Sequence, residues 1–153
     1  TAPEWDTDDT GTTITTVRKT TDETVNNSTT LQNDDALLLA LAANETWFFH
    51  VYIGHVGNAT ADIKVAFTVP TGATIKWGNS SARMNDSGLA ASGDFISTST
   101  EDFSGDTGAF SFILFGVVVN GSTAGNLQFQ WAQSTATAVD TKVLTNSYLE
   151  AHK

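Results

Sequence analysis

The sequence predicts an all-β protein: an antiparallel β-sandwich or jelly roll of about eight to ten strands behind a short extended N-terminal arm. Three observations predict it. Apolar and polar residues alternate strictly in stretches such as LQFQWAQ, where Leu127, Phe129 and Trp131 share one face, the period-2 pattern of a strand. Threonine is used heavily, often in pairs such as Thr12-Thr13, Thr15-Thr16 and Thr20-Thr21, and branching at Cβ suits a pleated sheet better than a helix. Turn signals, Pro70-Thr71-Gly72 and Asn120-Gly121 among them, punctuate the chain at strand-length intervals. With 153 residues, 40% of them hydrophobic, the chain is long enough for one domain with a core.

The elements follow in order. Residues 1–13 read as the arm and 14–153 as a single sandwich domain. The arm has one large apolar side chain, Trp5, near Pro3 and among Glu4, Asp6, Asp8 and Asp9; such a segment cannot bury itself, and a lone aromatic is a typical interface anchor. A short strand at 14–17 and a polar, edge-like one at 24–31 come next. The run ALLLALA at 36–42 reads as a strand in a hairpin with TWFFHVYI through a turn at Asn44-Glu45, although Asp34 and Asp35 also suit a helix cap. DIKVAFTV places Ile63, Val65, Phe67 and Val69 on one face. A strand at 74–77 leads into a long Ser/Asn/Gly-rich loop at 78–93, the kind of connection that often carries function. Trp77, Asn79, Arg83 and Asn85 are its candidate receptor-contact residues. AFSFILFGVVV at 109–119 is too short to span a membrane and too β-branched for a comfortable helix. Its turn at Asn120-Gly121 suggests pairing with LQFQWAQ, and 142–144 with 148–151 reads as a final hairpin.

Several strands are apolar on both faces. Trp47, Phe49, Val51 and Ile53 oppose Phe48, His50 and Tyr52; Phe112, Leu114 and Val118 oppose Ile113, Phe115 and Val117. A half-buried antiparallel strand needs only one apolar face, and a second one left open exceeds the patch a soluble monomer tolerates. Phe48, His50, Tyr52, Ile113, Phe115 and Val117 are therefore expected at a contact between copies of the chain, with Gln128 and Gln130 beside it, bonding across the symmetry axis.

Chemistry is scarce. Net charge is −10, which disfavours nucleic acid and anionic lipid as partners. There is no cysteine, hence no disulfide, thiolate metal site or cysteine nucleophile. His50 and His55 fall on opposite faces of one strand, and His152 stands near the chain end, so a zinc site is not expected. The acidic stretch EDFSGD at 101–106 lacks calcium-loop spacing and reads as a solvated loop. Neither a phosphate loop nor a nucleophile elbow occurs. No enzyme activity and no cofactor or metal are expected.

Two stretches carry a family resemblance. VRKTTDETVNNSTTLQNDDALLLALAANETWFFHVYIGHVGNATADIKVAFTVPTGAT (17–74) and LQFQWAQSTATAVDTKVLTNSYLEAHK (127–153) together resemble a β-domain of tailed-phage virion proteins, found at the C-terminal end of tail or fibre polypeptides. The closing Ser147-Tyr148-Leu149 is similar to the last strand of trimeric jelly rolls of the tumour-necrosis-factor type. The resemblance covers a little over half of the chain. It implies a non-enzymatic, trimeric virion component assembled in the host cytoplasm, and it carries over no catalytic residues. The relatives have an attachment region before the β-domain, where this chain has only TAPEWDTDDTGTTIT. That difference suits a capsid decoration protein held to the major capsid protein by its arm. The alternatives are a tail-fibre head that contacts a host glycan or receptor, and a non-viral lectin-like module.

Overall fold

In the computed structural model, which describes residues 12–79, 83–84, 90–91, 100–103 and 108–153, the regular structure is all strand. The strands are β1 (Ile14–Arg18), β2 (Glu23–Val25), β3 (Gln32–Leu41), β4 (Thr46–Val56), β5 (Ile63–Thr68), β6 (Thr74–Asn79), β7 (Arg83–Met84), β8 (Ala90–Ala91), β9 (Glu101–Phe103), β10 (Ala109–Val119), β11 (Gly125–Gln133), β12 (Thr141–Val143) and β13 (Tyr148–His152). One sheet runs β1-β13-β4-β10-β6, with β12 and β2 attached beside β4; the other runs β3-β11-β5-β9.

The pairing is nested. β1 pairs with β13, β3 with β11, β4 with β10 and β5 with β9, all antiparallel. The chain thus behaves as one long hairpin rolled up so that successive pairs alternate between two facing sheets, which is the eight-stranded jelly roll. β6 extends the first sheet past β10. From β3 to β6, each connection crosses from one sheet to the other.

Three expected strand pairings are corrected, the first two by that crossing. ALLLALA is a strand, but it does not form a hairpin with TWFFHVYI: β3 and β4 lie in opposite sheets, and Asn44, at φ 61°, turns the chain across the sandwich. AFSFILFGVVV and LQFQWAQ likewise lie in opposite sheets instead of pairing. β12 and β13 do not pair with each other; they lie end to end along β4, opposite Val56–His55 and Tyr52–Phe48. The polar segment at 24–31 is strand only as far as Val25. The acidic stretch at 101–106 begins as β9, whose Phe103 is buried and stacked on Phe112 with centroids 3.9 Å apart.

The inward faces fill one core. Trp47, Phe49, Val51 and Ile53 of β4 meet Phe112, Leu114 and Val118 of β10, with Trp77 of β6, on one side; Leu37, Leu39, Ile63, Val65, Phe67, Leu127, Phe129 and Trp131 close it from the other. Phe67 sits edge-on to both Phe49 and Trp77, at 5.3 and 5.1 Å, an arrangement that matches ring edges to ring faces. Gly116 makes this possible. A Cβ there would lie 2.3 Å from the Lys76 carbonyl oxygen and 2.8 Å from the Phe49 ring, so the close approach of β6 and β10 requires a residue with no side chain.

β3 is bulged. Gln128 opposes Leu38 but Gln130 opposes Asn33, so five steps of β3 face two of β11. The extra residues loop out around Asp34, whose Oδ1 accepts from the Ala36 and Leu37 N–H groups at 2.9 and 2.8 Å. These side-chain bonds replace the ladder bonds the bulge removes.

Candidate self-association surface

The outer face of the first sheet is built by the alternation that builds the core. With Trp47, Phe49 and Val51 inward, Phe48, His50 and Tyr52 must point out. The register with β10 then sets Val117 opposite Phe48, Phe115 opposite His50 and Ile113 opposite Tyr52. β13 continues each row with His152, Glu150 and Tyr148, and β1 adds Ile14, Thr16 and Arg18. With β6 at the far edge, five strands and three rows make a face about 19 Å by 14 Å.

This face is apolar and open. Phe48 is 52% exposed, Ile113 41% and Phe115 39%. Its aromatic groups are held in order: Phe48 stacks on His152 at 5.5 Å, Tyr52 on Tyr148 at 5.6 Å, and His50 meets Tyr148 edge-on at 5.8 Å. A shallow hollow lies between Phe48, His50, Phe115, Val117 and His152, over the backbone of Gly116. Charge is sparse: Arg18, Lys76 and Lys142 stand at the margins, and Glu150 is the single carboxylate on these outward rows, 3.8 Å from His50 Nε2. The chain as a whole carries 17 carboxylates against 7 basic residues, so a face with a single carboxylate meets a second copy of itself with little charge repulsion.

Six of the interface residues named from the sequence, Phe48, His50, Tyr52, Ile113, Phe115 and Val117, are therefore brought together on one surface. The two glutamines are not part of it. Gln128 and Gln130 lie on the other sheet. Gln128 is buried, and its Nε2 donates to the Asp34 and Phe129 carbonyls at 2.9 Å each. Gln130 donates to Asn33 Oδ1 at 2.8 Å. The first holds the β3 bulge and the second ties its mouth. Trp77 is also corrected: it is fully buried in the core, because β6 continues through Gly78 to Asn79 and alternation turns Trp77 inward. Asn79 ends that strand and Arg83 lies in the β7–β8 pair; Asn85, Pro3 and Trp5 fall outside the described residues.

Two polar features lie in the interior, and the first of them escaped the sequence reading. Lys19 is buried, with its Nζ 2.7 Å from Asp34 Oδ2 and 3.0 Å from Glu23 Oε2. Burial alone would lower the Lys19 pKa, but hydrogen bonds and charge from Asp34 and Glu23 outweigh it and raise the value. His55, on the inward side of β4 beyond Ile53, packs against Phe112 at 5.4 Å, and its Nδ1 has no hydrogen-bond partner. Burial pushes its pKa down to about 4, opposed weakly by Asp62. Among the described residues, no group of three or more His, Asp or Glu is arranged to hold a metal ion.

No family model matches the chain, and no curated protein matches it. Among solved structures, a chain of the structure of infectious bursal disease virus Gt strain aligns over 94% of this chain at 9% identity and a TM-score of 0.27. This chain spans 38% of that chain's length, and a likeness at that score transfers neither topology nor function.

Proposed function

We propose that this protein is a non-enzymatic virion structural protein of a tailed phage: a homotrimeric capsid decoration protein that contacts the major capsid protein. The observation that carries this reading is the open apolar face of Phe48, Tyr52, Ile113, Phe115 and Val117. Such a surface on a soluble protein marks an interaction site, and its place on a sheet face with Glu150 as its one carboxylate suits a second copy. Closed symmetry covers the face in every subunit. The acidic remainder then faces solvent, and several weak contacts per trimer add up on a repeating shell. The resemblance of 17–74 and 127–153 to tailed-phage β-domains supplies the virion setting.

The test is the position of the protein in a virion map. Density for its trimers on the head lattice is the expected result. Density at the tail tip would support the receptor-binding alternative instead, and absence from purified virions would overturn the reading.

A further inference from the structure

Lys19, Glu23 and Asp34 form a second, independent site. Lys19 follows β1 and Asp34 lies in the β3 bulge, so the group bridges the neighbouring edges of the two sheets. A lysine is rarely buried, and burying one beside two carboxylates costs more desolvation than a simple tie between strands requires. We propose that Lys19 Nζ and Asp34 Cγ condense into an intramolecular amide bond, with Glu23 as the proton shuttle.

The geometry provides each part that this condensation needs. Proximity comes first. Lys19 Nζ stands 2.7 Å from Asp34 Oδ2, and both backbones are pinned: Lys19 N–H donates to the Ser147 carbonyl at 2.8 Å, and the Asp34 carbonyl accepts from Gln128. Reactants held in this way lose little further entropy on the path to the transition state. Second, Asp34 Oδ1 accepts two backbone N–H groups, from Ala36 and Leu37, at the distances of an oxyanion hole. Third, Glu23 Oε2 lies 3.0 Å from Nζ, within reach of the proton the amine must lose. Glu23 is itself held by the Gln32 side chain and the Asp35 N–H.

The steps balance without an outside reagent. The ion pair is the resting form. The reactive form is the minor neutral tautomer, in which the ammonium has passed a proton to Asp34 Oδ2 and both charges are removed. The amine then attacks Cγ. Negative charge develops on Oδ1, against the Ala36 and Leu37 N–H groups, while the nitrogen gives a proton to the Glu23 carboxylate. The intermediate collapses by re-forming the carbonyl at Oδ1. Oδ2 leaves as water, taking its second proton from Glu23, which returns to its starting state. An ammonium and a carboxylate become an amide and one water, with nothing oxidised or reduced.

Intact mass spectrometry of the purified full chain tests this. The expected mass is one water, about 18 Da, below the sequence mass. Trypsin should fail to cleave after Lys19 and should yield a branched peptide joining the Lys19 and Asp34 segments. The deficit should vanish in Lys19→Met and Asp34→Ala, and its appearance should slow at least tenfold in Glu23→Gln. Full sequence mass in the wild-type protein after prolonged incubation in native buffer overturns the proposal, and this readout does not depend on any variant folding. A deficit that persists in Lys19→Met also overturns it, because a cyclic imide at Asp34-Asp35 would have the same mass.

Discussion

Acidification from pH 7.5 to 5 tests the interior directly, through His55. The side chain is buried against Phe112, and burial holds its pKa at about 4, whereas in the unfolded chain it titrates near 6.5. The sign follows from proton counting. Below pH 6.5 the unfolded state takes up a proton that the native state refuses until about pH 4, so stability is full above 6.5 and is lost as pH falls through that window. At pH 5 the loss is about 2 kcal/mol, from roughly one and a half pH units at about 1.4 kcal/mol each. The assay is urea denaturation of wild type and His55→Gln at pH 7.5, 6.5, 5.5 and 5.0. Taking the difference between the two cancels the carboxylates, which titrate lower. The wild type should lose its advantage, or fall further behind the variant, by about 2 kcal/mol across the series. A difference that stays flat with pH would refute the burial argument.

Other outcomes follow from the same packing. Gly116→Ala forces a Cβ into the Lys76 carbonyl and the Trp77 Cα, which are backbone atoms that cannot swing away; a loss of about 3 kcal/mol is expected in thermal or urea unfolding. Gln128→Leu leaves the buried Asp34 and Phe129 carbonyls without their donor, so it should cost the monomer about 2 kcal/mol while leaving oligomer mass unchanged. An unaltered stability would show that water takes the place of the amide.

The fold class was legible because alternation is local. Val51 and Tyr52, or Leu114 and Phe115, are assigned to opposite faces by position alone, and the structure places them so. Strand existence in ALLLALA was equally local. Strand partners were not. Nothing near Asn44 or Asn120 says that the chain crosses to the opposite sheet, because a two-residue turn signal is the same whether the next strand pairs with the last or faces it. The glutamines of LQFQWAQ show the same limit. Their polar face was visible, but the bulge that absorbs Gln128 is set by Asp34, a residue 94 positions away. Trp77 was misplaced because the loop was expected to begin at Gly78; β6 runs on to Asn79, which keeps Trp77 within the alternation on the inward face with Ile75. Lys19 looked like any charge near a terminus. Its spacing of four from Glu23 is a weak signal, and Asp34 joins them only through the meeting of β1 and β3 edges.

The outer face is tested most directly by the mass of the protein in solution. Half of the Phe48 side chain, about 100 Å², is open, and its burial against another copy contributes about 2.5 kcal/mol. Sedimentation equilibrium over a hundredfold concentration range should show a trimer for wild type. Phe48→Ala should weaken association by between roughly 10- and 100-fold, and Phe48→Asp with Phe115→Asp should give a folded monomer. A wild-type protein that remains monomeric throughout that range, or a trimer untouched by both aspartates, would contradict the assignment of this face.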